Sequence, residues 1–292
     1  MKTILGLFAA GLLSVPQDPA ALIEKIKSKD ADESANARED LLKLGEAALA
    51  PLREAAGKAE DAALKKTLTG LAERLEVRKA AQGLAARWGD RWYSVFMNEL
   101  HVGWAHLKAE EKEGRIVLTD ELKIQQGKET AYEIRATITC ERDEYLTPVS
   151  LTLDVVSPEA TGSVTGKVKD GRLVVQNNGQ FKAHKLRRNT MVDFAVLRLM
   201  TILPKTEGYD IEVLPLVKQK PPEDSTIKAD RDDSIEHEGR QVKCRRFMLS
   251  NADGEDKFYW LDAENRLLRI QVKDAEIVLS DEKRAKDIDT KE

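Results

Sequence analysis

Two periodicities divide the chain. From Asp18 to about Gly83 the apolar positions recur at helical spacing. Asp18 stands as an N-cap before Pro19, and Leu22, Ile23 and Ile26 form the first apolar stripe. A second helix carries Ala37, Leu41 and Leu44 and stops at Gly45. A third holds Pro51 in its first turn, has Leu52, Ala55 and Ala56 on its apolar side, and ends at Gly57. The fourth begins at Asp61, and its leucines 64, 68, 71 and 75 make one continuous face.

Near Ala86–Asp90 the period falls to two. Ile116, Leu118, Leu122 and Ile124 alternate with Val117, Thr119, Glu121 and Lys123. Tyr132, Ile134, Ala136, Ile138 and Cys140 do so against polar neighbours, as do Val149, Leu151, Leu153 and Val155. Strands with one wet face imply an antiparallel sheet, because parallel strands are buried on both sides. Glu113-Gly114, Asp170-Gly171, Asn178-Gly179 and Asp253-Gly254 are hairpin turns by composition, so the strands follow one another as a meander. One segment breaks the pattern. Thr190 to Leu203, ended by Pro204, has only Asp193, Arg198 and Thr201 as polar side chains after Thr190. It is expected to be a helix buried on most sides against the concave face of a curved sheet. After it come a strand at Tyr209–Val213, a polar link from Lys218 to Ser234, and strands near 241–249, 257–262 and 266–279.

Two resemblances follow from these patterns. The run from Ala37 to Gly45, with Ala47-Ala48, Pro51-Leu52 and the helix after Asp61, resembles HEAT-type helical repeats, which implies a protein-contact role for residues 18–88. Strands, one apolar helix and a return to strands over about 90–280 resemble the open half-barrel of the bacterial lipoprotein-carrier (LolA/LolB-like) envelope family. Tyr145-Leu-Thr-Pro148-Val149 before a strand and Phe258–Ile270 near the end carry that likeness. In its carrier branch the family implies an apolar cavity for acyl chains between sheet and helix.

Residues 1–17 set the compartment. Lys2, the apolar run Ile4–Val15 and the break at Pro16-Gln17-Asp18 have the layout of a secretory signal peptide. As a helix the run is about 18 Å long, too short for the roughly 30 Å bilayer core. The expectation is an exported protein of the periplasm or cell envelope with no membrane span in the mature chain. Cys140 and Cys244 are the only cysteines; a single disulfide and two buried thiols fit equally well. The 47 basic and 51 acidic residues leave a formal charge of −4, without the positive excess that nucleic-acid binding needs.

Chemistry-bearing motifs are few. Gly162–Lys167 resembles a phosphate loop but has three residues between its glycines and Val168 where a hydroxyl is needed. The four histidines show no paired metal spacing, and neither a metal nor a cofactor is expected. Asp143-Glu144 and Asp232-Asp233 read as solvated loop acids. Lys182, His184, Lys185, Arg187 and Arg188 form a basic cluster before the apolar helix; it reads either as a solvated strand end or as the seat of an anionic headgroup formed by Lys182, Lys185, Arg187 and Arg188. Phe194, Leu197 and Met200 read either as core or as the lining of an apolar cavity. Trp88, Trp92, Tyr93 and Trp104 are expected to seal the junction of helices and sheet.

The chain therefore reads as an α+β protein. A signal peptide (1–17) precedes HEAT-like helical hairpins (18–88); an antiparallel open half-barrel (89–281) wraps a buried helix (190–203), and a charged flexible tail (282–292) follows. The function expected is that of a non-enzymatic envelope binding or scaffold protein holding a lipid or other amphiphile. The alternatives are an interaction module that meets an envelope partner through residues 18–88, and an enzyme of unknown class.

Overall fold

The computed structural model describes residues 18–126, 129–157, 161–177, 179–204, 208–217, 220–251 and 256–288. The signal-peptide reading lies outside them, as do Asn178, Asp253 and Gly254 of the expected turns. The chain divides into two compact units that meet at Glu76/Val77. This division falls about three helical turns before residue 88.

The first unit is helical. Helices α1 (Pro19–Ile26), α2 (Ala31–Leu44) and α3 (Glu46–Lys58) are followed by α4 (Ala62–Gln82), within which the unit boundary falls. Asp18 caps α1 by accepting the Ala20 N–H at 3.0 Å, Asp30 caps α2, and Asp61 accepts the Leu64 N–H at 2.6 Å. The α2–α3 corner turns on Gly45, whose φ of 62° suits a residue without Cβ. Pro51 lies inside α3 rather than in its first turn. Its missing N–H falls opposite the carbonyl of Ala47, an exposed residue. Leu41, Leu42, Ala48, Leu52, Leu68, Leu71 and Leu75 form a core belonging to this unit.

The second unit is built on one sheet of 15 strands. In chain order these are β1 (Asp90–Met97), β2 (Leu100–Lys112), β3 (Arg115–Gln126), β4 (Glu129–Cys140), β5 (Pro148–Val156), β6 (Thr161–Lys169), β7 (Arg172–Asn177) and β8 (Gln180–Lys185). Then come β9 (Thr190–Val192), helix α6 (Asp193–Met200), β10 (Tyr209–Leu214), β11 (Glu223–His237), β12 (Arg240–Asn251), β13 (Lys257–Leu261), β14 (Leu267–Val272) and β15 (Ala275–Ser280). Each strand pairs antiparallel with its sequence neighbour from β1 to β8 and from β10 to β15, and β1 pairs with β15. The edges are β8 and β9, so the sheet is open. Bulges at Val95/Phe96, Thr139/Cys140, Ala229/Arg231 and Trp260/Leu261 add the local bends that curl such a sheet. Its inner face holds Val77, Ala81, Leu84 and Trp88 from the end of α4 and from α5 (Leu84–Trp88), together with α6.

Four expectations are corrected. The apolar helix is shorter than 190–203, spanning Asp193–Met200, and Thr190 to Val192 pair parallel with β10. All three are buried, as the rule for parallel strands requires, and a segment apolar on every side cannot reveal its own period. The polar link from Lys218 to Ser234 is mostly β11, the longest strand. Its wet side hides the pattern: Ser225, Ile227 and Ala229 face inward, and the bulge after Ala229 resets the phase. The stretch 266–279 is a hairpin, β14 and β15, turned at Lys273. In the expected flexible tail, Glu282–Lys286 form helix α7, capped by Asp281 and packed on β1 and β2.

Candidate functional site

The cleft of interest lies on the inner face of β6, β7 and β8. Val164 and Val175 supply one apolar wall, and Leu214 at the end of β10 with Pro215 and Leu216 supplies the other, around a cavity of about 50 Å³ whose lining is completed by Asn177, Gln180, Lys182, His184 and Lys220. Strand alternation aims Lys182 and His184 of β8 to the same side as Val175 and Leu173, so two nitrogenous side chains edge an apolar slot. Burial, and then the charge of Lys182, hold the His184 imidazole below its ordinary pKa. The wall is tied to α6, because the Asp193 carboxylate accepts the backbone N–H groups of Leu216 and Phe194.

The proposed cavity residues behave differently. Met200 is fully buried, and Ala195, Val196 and Leu199 beside it are 0–2% exposed, so the face of α6 toward the sheet is filled by its own side chains. Phe194 and Leu197 are half-buried against this core, and neither lines the cleft. The basic cluster separates. Lys182 borders the cleft, whereas Lys185 lies at an odd step from it and faces the other side of β8. Arg187 is engaged by Glu212 at 3.2 Å and Asp224 at 3.0 Å, and Arg188 stands 3.9 Å from Glu144. The two arginines thus fasten β9 and β10 to their surroundings.

Other expected groupings are also redistributed. Cys140 belongs to the main core and Cys244 to a separate cluster with Ile235, Trp260 and Leu268, and both are free thiols. A bridge between them would have to pass through the sheet. Burial raises both thiol pKa values, that of Cys244 to about 11. The aromatic group divides, strand parity separating Tyr93 from Trp92 while Trp88 sits on α5. Trp88 and Tyr93 are core residues, donating to the carbonyls of Leu107 at 3.1 Å and Leu267 at 3.2 Å. Trp92 and Trp104 lie under Lys286 of α7, with Trp92 stacked on His106. Each acid pair is split: Asp143 and Glu144 lie in the β4–β5 loop, where Glu144 is 1% exposed and accepts from Arg78 at 2.8 Å, and on β11 Asp232 is exposed while Asp233 accepts the Trp260 indole N–H at 3.0 Å.

The inner face also carries an ion pair that sequence reasoning missed. Arg198 of α6 is 0% exposed and grips Asp120 of β3 with both terminal nitrogens; one also donates to the Phe194 carbonyl and the other to that of Lys108. Its guanidinium lies 4.7 Å from the Trp88 ring. Burial raises the Asp120 pKa, and Arg198 opposes the shift. The signal was present. Asp120 falls in phase with Ile116, Leu118, Leu122 and Ile124, a carboxylate on an apolar face, and Arg198 is the one cation in the apolar segment.

Fold and cleft together define a class: an open antiparallel sheet curled around a short helix, with an apolar slot at one end of the sheet. No protein-family model matches the chain, and no curated protein does. Among solved structures it is similar to a β-barrel-like protein of a domain of unknown function, DUF1849, from Brucella abortus, at 8% identity and a TM-score of 0.47, over 65% of this chain and 94% of that one. It is also similar to the hypothetical lipoprotein YmcC from Escherichia coli, at 10% identity and a TM-score of 0.26, over 66% and 87%. Among the described residues, no helix is long and apolar enough to cross a membrane.

Proposed function

We propose that this chain is an exported, non-enzymatic binding protein of the cell envelope. In this reading the slot under β6–β8 receives the hydrocarbon part of an amphiphile, and Lys182 meets its anionic head. One observation carries the reading: Val164, Val175, Leu214, Pro215 and Leu216 line a small apolar cleft at whose edge Lys182, Lys220 and His184 stand, with the amides of Asn177 and Gln180 beside them. Apolar pockets with a few convergent polar groups are the usual form of small-ligand sites. The leader-like pattern of residues 1–17 supports export.

The seat differs from the one the sequence suggested, which lay between sheet and helix. Native mass spectrometry of the purified chain, combined with titration by a dansylated long-chain fatty acid, tests the proposal. The wild type is expected to carry a lipid-sized adduct and to enhance dansyl emission. Val175→Trp fills the slot and abolishes both, and Lys182→Glu weakens fatty-acid binding by roughly tenfold, the weight of one charge reversal near 1.4 kcal/mol. A chain that binds neither, or a Val175→Trp variant that binds undiminished, overturns it.

A further inference from the structure

Helix α7 is fastened to the outer face of β1 and β2 mainly by groups that water reaches. Ala285 is its one buried residue. Arg284 meets Asp281 at 2.6 Å and Glu238 at 2.5 Å, yet its side chain is 57% exposed. Lys286, 45% exposed, lies 4.4 Å from the centre of the Trp92 ring and 5.6 Å from that of Trp104. Exposed charges of this kind hold a five-residue helix weakly. His101, near the start of β2, adds a bond of a different kind. Its ring stands between two main-chain carbonyls: Nδ1 lies 3.1 Å from the oxygen of Asp287, at the end of α7, and Nε2 lies 3.0 Å from the oxygen of Gly103 on its own strand. Carbonyl oxygens only accept, and a neutral imidazole has one N–H to give. Only the imidazolium donates to both.

We propose that His101 is a pH-sensitive latch for the C-terminal helix: its imidazolium pins Asp287 to β2, and loss of the proton frees α7 from Trp92 and Trp104. The neutral ring keeps one bond and gives up the other. The Gly103 contact is partly buried and lies within one strand, whereas the Asp287 contact is exposed and orders the end of the chain, so the second is the one surrendered. A lone pair then faces the Asp287 carbonyl, and attraction turns to repulsion. Neighbouring charges offset one another and leave the two carbonyls to set the sign. Lys286 and Asp287 come from α7, Lys123 from β3 opposite Trp104, and Glu99 from the β1–β2 turn. Glu276 comes from β15 opposite Phe96 and is engaged by Arg269, and His106, paired with Asp90, lies farther along the same face. Docking holds the proton, so α7 is bound on the acid side of the imidazole range, between about pH 5 and 8, and released on the alkaline side.

Two measurements on the full chain test it. Trp88 and Trp260 are 3% and 5% exposed, so quenching by succinimide, a neutral and bulky molecule, reads Trp92 and Trp104, which α7 covers. The wild-type quenching constant is expected to rise about twofold from about pH 5.5 to about pH 8.5, as the undocked population grows. Hydrogen-exchange protection at residues 284–287, corrected for the intrinsic pH dependence of exchange, should fall about tenfold over the same range. His101→Gln, which never carries the charge, is expected to show the alkaline values of both measurements throughout. His106→Gln should keep the wild-type exchange response, because its ring makes no bond to α7. The proposal is overturned by a wild type equally protected at both pH values, by a His101→Gln chain that still responds to pH, or by a His106→Gln chain that no longer does. None of these results bears on the slot under β6–β8, whose occupancy is read separately by the adduct mass.

Discussion

At the scale of single residues, the buried ion pair between Arg198 and Asp120 sets the tightest constraint. Two opposite charges with almost no exposure are tolerable only because each satisfies the other and the arginine finds two carbonyls as well. Removing one partner leaves the other charged and buried. Arg198→Met is therefore expected to cost about 3–5 kcal/mol, read as a lowered urea midpoint. Arg198→Met combined with Asp120→Leu should recover most of that loss, because the uncompensated charge goes with the pair. A double variant as unstable as the single one would show that the guanidinium matters for its packing on Trp88 instead. The basic cluster teaches the complementary lesson. Lys182, Lys185, Arg187 and Arg188 are close in sequence, yet a strand sends alternate side chains to opposite faces, and the two arginines each find a carboxylate.

At the scale of elements, α6 and its entrance decide how the second unit closes. Asp193 opens the helix and holds the Leu216 segment through a backbone N–H, so one carboxylate joins the helix to a wall of the slot. Burial pushes its pKa from the ordinary 3.8 up to about 6. A raised folded-state value means that the folded protein binds this proton more tightly than the unfolded chain does. The stabilisation is fully present below about pH 4 and is lost as pH rises through about 6, leaving a cost on the order of 2–3 kcal/mol at pH 8. Asp193→Asn keeps an acceptor oxygen without the charge. Its urea midpoint should exceed that of the wild type at pH 8 and match it near pH 4; a variant less stable at pH 8 would mean that the ionised carboxylate is worth more than its desolvation. Among the strands, alternation located β3, β4 and β5 well because each has one dry and one wet face. It failed for β11, whose bulge shifts the phase midway, and for β9, which has no wet face.

At the scale of the whole molecule there are two cores. Leu41, Leu52 and Leu68 belong to one, and Leu199, Phe247 and Leu118 to the other. Leu41→Ala should cost about 2–5 kcal/mol through the cavity it leaves. Hydrogen exchange is expected to quicken across residues 18–76 while the amides of β3, β4 and α6 keep wild-type rates; acceleration in both units would show that they unfold as one. Much of this architecture was legible in the sequence. The helix starts at Asp18 and Asp61, the stop at Gly45 and the alternating strands follow from capping, positive-φ turns and periodicity, which are properties of neighbouring residues along the chain. The arrangement of chemical groups was not legible, since it depends on which segments the curled sheet brings together. Asp120 and Arg198 are 78 positions apart, and the slot joins β6–β8 to residues after β10. The sequence by itself determined a helical unit followed by a meandering sheet with one dry face, because local sterics and the burial of apolar surface act residue by residue. Only the tertiary structure decided that the helix–sheet interface is packed and that a small cleft lies at one end of the sheet, because bulges, register and edge pairing are set by contacts between distant strands.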